Sequence, residues 1–211
     1  RKSFIMDKSQ NIDIKEKQIL EEGFDSVSES GVNSFTVEGL ASKLFISKKT
    51  IYEYFPSKEK LLEKIVKYRI GVVKSNIEKI VNKNPNPVLQ FIEMKRYLFK
   101  FTSRFDSNRM VEFKSKYPHI WKMIESMRLE NRHNFFKILS KGQKQGYVRK
   151  ELDINFVSTL YVNIINSTFQ PEFFINNNIS YSDSLQVYTN IMSYGLFTKK
   201  GLKILQDKKF I

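Results

Sequence analysis

The chain has 211 residues, no cysteine, two histidines and a formal net charge of +14. That length can bury a substantial core without staples, and the missing thiol excludes disulfides, thiolate metal sites and cysteine nucleophiles. No secretory signal pattern and no apolar run of membrane-spanning length is readable, so the expectation is a soluble, cytoplasmic protein with an acidic partner.

The charge is unevenly spread. Residues 1–70 carry 13 basic and 11 acidic groups, residues 71–150 carry 18 and 6, and residues 151–211 carry 5 and 5. Net charge alone would set a polyanion against the middle of the chain, so any nucleic-acid assignment has to rest on local pattern.

Residues 1–12 read as a polar arm. Beyond them apolar residues recur at helical spacing almost throughout, and alternating strand patterns bounded by hairpin turns are hard to find; the fold class is all-α. Alanine occurs once, at Ala41, so the helices depend on tertiary burial more than on intrinsic propensity. A first helix over 13–30 carries Ile19, Leu20, Gly23, Phe24 and Val27 on one face and stops at Gly31. Thr36 caps a short second helix with Val37, Leu40, Ala41 and Leu44 inside, and Ser47 caps a third that ends near Tyr54. Pro56-Ser57 breaks the chain before a long fourth helix, which Pro85 and Pro87 end.

Phe91, Met94, Leu98, Phe101 and Phe105 then mark a fifth helix. A short helix over 108–116 follows, and a longer one carries Ile120, Ile124, Met127, Phe135 and Ile138 up to the glycines Gly142 and Gly146. Two last helices, 154–176 and 181–206, flank Asn176-Asn177-Asn178. The domain expectation is a helix-turn-helix unit over 13–56 and a larger helical domain over 57–211.

Residues 36–61 hold two short helices around a tight turn, apolar inside and hydroxyl, amine and phenol outside, which is the helix-turn-helix arrangement. Its second helix presents Ser47, Lys48, Lys49 and Thr50 at its start and Tyr52 and Tyr54 further along. Lysine donates to guanine O6 and N7, and the threonine methyl suits a thymine methyl. Tyrosine hydroxyls suit phosphate oxygens. Thr36 and Lys58 stand at helix N-termini, where unpaired amides favour phosphate.

The stretch from Ser47 through Lys48, Lys49, Thr50, Ile51, Tyr52, Glu53, Tyr54, Phe55, Pro56, Ser57, Lys58, Glu59 and Lys60 to Leu61 resembles the signature of the tetracycline-repressor family. Ile19, Gly23, Phe24, Gly31, Phe35, Thr36, Leu40 and Ala41 fall where that family places the core of its first two helices. Over the remaining length the resemblance extends only to helix count and a Gly146-Tyr147-Val148-Arg149 turn. It implies a homodimeric, nine-helix, Ω-shaped repressor that binds a palindromic operator on double-stranded DNA and is released by a small-molecule effector. Two positions depart from the pattern: Phe45 stands where the turn usually has glycine, which strains a left-handed backbone, and Lys49 stands where glycine is frequent, which alters the base-reading surface.

The aromatic set Phe91, Phe101, Phe105, Trp121, Phe136 and Tyr161 is either plain core or, as the resemblance implies, the wall of an effector cavity. Asn131, Asn163 and Asn166 are its candidate polar groups. The uncharged last two helices are the candidate dimer hairpin, with Val157, Tyr161, Ile165, Leu185, Tyr188, Met192 and Leu196 as interface positions. His119 and His133 are fourteen residues apart, with no carboxylates at ligand or catalytic spacing, and no phosphate loop or nucleophile elbow is visible. Neither an enzyme, a metal site nor a cofactor is expected. The competing reading is a basic helical scaffold that meets anionic membrane or RNA through residues 71–150.

Overall fold

A computed structural model describes residues 13–211; the N-terminal arm of the sequence reading lies outside them. Twelve helical segments and no strand occur among the described residues, with a lone antiparallel bridge between Val148 and Phe197. The chain divides into two compact units, one through Tyr68 and one from Arg69 onward.

In the first unit, Asp13 caps α1 (Ile14–Ser34), and Gly31 leaves the helical region at φ 76°, the stop expected from the sequence. A positive φ there suits glycine because no Cβ opposes it. Thr36 caps α2 (Val37–Lys43) by accepting from the Gly39 amide at 3.0 Å, and Ser47 caps α3 (Lys48–Tyr54) by accepting from the Thr50 amide at 3.0 Å. The helix α4 (Lys58–Lys83) begins in this unit. Ile19, Leu20, Phe24, Leu40, Ile51, Phe55, Leu61, Leu62 and Ile65 make its core, all buried. Gly23 permits a close approach of α1 to α4, since a Cβ there would lie 2.6 Å from Ile65 Cδ1. Because Leu61, Leu62 and Ile65 belong to this core, the unit runs past residue 56, where the sequence reading ended it.

The second unit contains α5 (Pro87–Thr102), α6 (Ser107–Lys116), α7 (Pro118–Glu130), α8 (Arg132–Lys144), α9 (Ile154–Thr168), α10 (Pro171–Asn177), α11 (Tyr181–Leu196) and α12 (Lys199–Asp207). Phe91, Ile92, Met94, Phe135, Ile138, Leu139, Tyr161, Val162, Leu196, Phe197 and Leu205 form its main core. Phe169, Phe174, Tyr181 and Leu185 make a smaller cluster under α10. Buried Gln90 donates from Nε2 to the carbonyls of Val81 and Asn84, at 2.6 and 2.5 Å, satisfying acceptors that the end of α4 leaves open.

The nine helices of the sequence reading become twelve because three are interrupted. Asn131 separates α7 from α8. Gln170 is extended ahead of Pro171 (φ −88°, ψ 152°), as a residue preceding proline prefers. Phe197 is extended between α11 and α12, where the Arg149 amide donates to Leu196 O (3.0 Å) and the Thr198 amide to Tyr147 O (2.9 Å).

The turn between α2 and α3 is a Schellman motif. The Phe45 amide donates to Ser42 O at 3.2 Å, the Ile46 amide donates to Ala41 O at 3.0 Å, and Phe45 sits at φ 54°. Its side chain is 96% exposed, so no packing offsets the left-handed strain of about 1–2 kcal/mol for an L-residue. Phe45→Gly relieves that strain and loses part of the gain to unfolded-state entropy. A net stabilisation of about 0.5–1 kcal/mol is expected, read as a higher urea midpoint at unchanged m; a lower midpoint would refute the assignment of strain.

Candidate nucleic-acid interface

A seven-residue helix does not persist in water alone, and α3 is held by one fully buried side chain, Ile51, with buried Phe55 directly after it. Fixing Ile51 inward turns the start of the helix outward. Thr36, Ser47, Lys48, Lys49 and Tyr52 are exposed and Thr50 half-buried. The structure thus brings together, on one surface, the α2 and α3 caps and the first turn of the reading helix.

Within that surface the lysines differ. The Lys48 ammonium pairs with Glu38 on α2 and lies 5.5 Å from the centre of the Tyr52 ring. The hydrogen bond between them holds the Glu38 carboxyl below its ordinary range and the Lys48 ammonium above its own. Lys49 has no ion-pair partner among the described residues. Lys48 is therefore engaged within the unit, whereas Lys49 is not.

Tyr54 and Lys58 are turned to internal work. The Tyr54 hydroxyl donates to the Asp13 carboxylate at the start of α1, which lowers the carboxyl pKa and raises that of the phenol. Lys58 Nζ donates to the carbonyls of Val32 (3.0 Å) and Phe35 and lies 5.5 Å from the Phe35 ring centre. Both were expected to meet phosphate. In the structure they tie α3 and α4 to the two ends of α1, because a cation is favoured by carbonyls left open at a helix C-terminus.

In the second unit the aromatic candidates do not share one cavity. Phe101 and Phe105 pack edge to face, 5.3 Å apart, and Phe105 borders a mainly hydroxyl-lined cleft of about 200 Å³ with Thr102, Ser103, Asp106, Ser180 and Ser182. Trp121 is buried, its Nε1 donating to Glu125 Oε1 (2.9 Å) and Gln170 Oε1 (3.3 Å). Half-buried Asn131 accepts from Asn134 at the α7–α8 break, Phe136 packs on the main core, and the half-buried Asn166 keeps an unpartnered Oδ1. Asn163 is exposed and donates to its own helix at Thr159 O (2.8 Å), so it lines no interior site.

Tyr161 is the buried candidate with a polar neighbour that the sequence reading passed over. Lys95, 2% exposed on α5, donates to the Tyr161 hydroxyl and lies 3.9 Å from that ring's centre, 5.2 Å from Phe135's and 5.5 Å from Phe91's. Burial lowers its pKa to about 7 and pushes the Tyr161 phenol up; half-buried Tyr188 is pushed up to about 12. A lysine four places after Phe91, on the same helical stripe, was the available signal.

The seven positions read as a dimer face are corrected by burial. Tyr161, Leu185 and Leu196 are buried in the chain's own core, and Val157, Ile165, Tyr188 and Met192 pack against it. The reading chose the inward ladder. The outward one leaves Phe156 (64% exposed), Leu160, Val187, Ile191 (65%) and Tyr194 in solvent on α9 and α11. Tyr161 on α9 and Tyr188 on α11 stack, their ring centres 5.1 Å apart.

A capped, outward-facing reading helix braced by a second short helix, on an all-helical chain, defines a helix-turn-helix DNA-binding transcriptional regulator. Residues 19–65 match the family model described as bacterial regulatory proteins, tetR family. An uncharacterised HTH-type transcriptional regulator of Bacillus subtilis, YvaF, is 25% identical over 183 residues, which cover 86% of this chain and 95% of that protein. Among solved structures, a TetR transcription regulator from Haloarcula marismortui superposes with TM-score 0.68 at 14% identity, covering 86% of this chain and 97% of the other. A transcriptional regulator from Saccharomonospora viridis in complex with choline gives 0.62 at 16%, covering 87% and 97%; at these identities the likeness speaks to fold. No helix among the described residues is long and apolar enough to cross a membrane.

Lys58→Met should lower stability by about 1–3 kcal/mol through loss of its bonds to Val32 and Phe35, while leaving the salt dependence of duplex binding unchanged. A slope reduced by about one unit of log K per log salt would instead mark a phosphate contact. Lys95 yields a pH prediction. Its pKa is about 7 folded and about 10.4 unfolded, so the unfolded chain binds more protons in between. The contribution of Lys95 to stability therefore rises with pH between about 7 and about 10.4. Lys95→Met should flatten that rise, as read from urea midpoints across the interval; an undiminished rise would assign it to other groups.

Proposed function

We propose that the chain is a ligand-responsive repressor that binds a palindromic operator as a homodimer, one α3 from each copy entering successive major grooves about 34–36 Å apart. The observation that carries this reading is the exposed Ser47–Thr50 edge, fixed outward by buried Ile51. Lys49, with Lys48 after release from Glu38, reads base edges, and Thr50 adds an apolar contact. Thr36, Ser47 and Tyr52 set the register on phosphates. Tyr54 and Lys58 act from behind, holding α3 and α4 to α1.

The homodimer forms through the outward stripes of α9 and α11. Phe156 with Leu160 and Val187 with Ile191 are spaced one turn apart, so each helix offers a continuous apolar edge. Two such hairpins close a four-helix bundle with an isologous interface, in a segment of zero net charge that brings no like-charge repulsion. Effector binding in the second unit shifts the preferred spacing of the reading helices and releases the operator; a small-molecule complex is already known for the choline-bound relative of similar fold. A shift from mostly bound to mostly released needs about 5 kcal/mol of differential ligand affinity.

Duplexes selected from a random pool, followed by gel shift, test the reading. The expected product is an inverted repeat bound in preference to scrambled duplex; equal retention of RNA, anionic liposomes and duplex would support the basic-scaffold alternative instead. Lys49→Ala should cost about 1–3 kcal/mol on the selected site and relax preference at one position of each half-site. Glu38→Gln should tighten binding by freeing Lys48. Ile191→Glu should give a monomer by sedimentation and weaken operator binding at least tenfold, whereas an unaltered dimer would place the interface elsewhere.

A further inference from the structure

The core of the second unit holds a polar cluster that the DNA-binding function does not use. Lys95 on α5 and Tyr161 on α9 are hydrogen-bonded to each other, and three aromatic rings face the amine. Thr189 on α11, completely buried, stands beside the Tyr161 hydroxyl without completing a well-formed bond. Ser158, one turn before Tyr161 on α9, is also completely buried, and its hydroxyl has no partner in the described residues. No carboxylate of the chain lies within ion-pair distance of Lys95 among the described residues.

Lys95, Tyr161 and Thr189 can each donate, and an ammonium can only donate. Buried polar groups are nearly always satisfied, and an exception calls for a partner. The missing partner must therefore be rich in acceptors. A carboxylate fits, with two oxygens able to accept several bonds and one negative charge against one lysine. A doubly charged phosphate would bring a second buried charge with nothing to balance it. Beyond the polar atoms the neighbours are the rings of Phe91, Phe135 and Tyr188, within the main apolar core, which no hydrophilic ligand body would match. Met127 and Met192 border the same core, and such unbranched side chains can repack to admit a guest.

We propose that this cluster is the polar end of the effector site and that it takes an apolar carboxylic acid, its carboxylate bound by Lys95 and Tyr161 with Thr189 as a further donor. The proposal rests on the ligand-responsive reading above, and it names the chemical class of the effector.

Calorimetric titration of the full chain with straight-chain acids from hexanoate to hexadecanoate and with phenylacetate and 4-phenylbutyrate, each against its methyl ester, tests it. At least one acid should bind about tenfold or more tightly than its ester. Lys95→Met should abolish that preference, and Tyr161→Phe should reduce it severalfold while keeping ester binding. Lys95→Met removes a buried amine and should fold at least as well as the parent; Tyr161→Phe provides an independent readout. No acid preferred over its ester, or a preference that survives Lys95→Met, overturns the proposal. Duplex binding measured alongside separates the two claims. Acid binding that leaves operator affinity unchanged would remove the effector role while supporting a carboxylate site, and duplex binding with no acid bound would remove the site while leaving the regulator intact.

Discussion

Burial of one side chain, Ile51, decides what the N-terminal unit can do. The reading helix has seven residues, too few to be stable by its own hydrogen bonds. Its order comes from Ile51 and Phe55 packed into the core and from a serine cap at its start. With Ile51 inward, the remaining faces are committed: the cap, both lysines and Tyr52 must look outward. Restraints at the rear add to this, since Tyr54 reaches Asp13 and Lys58 reaches the carbonyls at the end of α1. On the proposed function, DNA recognition depends on a small hydrophobic contact that fixes direction, with charge acting only after direction is set.

The second unit pairs the same logic with an anomaly. Most of its core is aromatic and aliphatic, and Gln90 gives its amide hydrogens to the Val81 and Asn84 carbonyls at the C-terminal end of α4, while its Oε1 has no partner among the described residues. Lys95 is different. It sits among rings with a phenol for company, at a desolvation cost that a methionine of similar shape would avoid. That cost, held in the interior near the buried Thr189 hydroxyl, is what the proposed recognition of a carboxylate would offset. The exposed ladder of α9 and α11 is a separate matter, an apolar surface that a second copy would cover.

Much of the fold was legible because helical periodicity and capping residues are local signals. Thr36, Ser47 and Gly31 act where the pattern placed them, and Phe45 adopts the left-handed turn that its position implied. The breaks at Gln170 and Phe197 were harder to see, although Pro171 and the capping Thr198 mark them, because apolar spacing continues across both. Lys48 through Thr50 were readable as an outward edge from the motif. The internal use of Tyr54 and Lys58 was not, since their partners lie 41 and 26 residues away in sequence. The inward and outward ladders of α9 are both apolar, so periodicity alone could not say which faced solvent. Lys95 was overlooked as a single charge inside a hydrophobic stripe, and its partner Tyr161 is 66 residues distant.

The most direct test of the account is to map which backbone amides respond when the isotopically labelled full chain is titrated with its selected duplex. Chemical-shift changes concentrated at residues 36–55, largest at Ser47 to Thr50, are the predicted result. Changes centred on the basic stretch 71–150, with α3 silent, would contradict it.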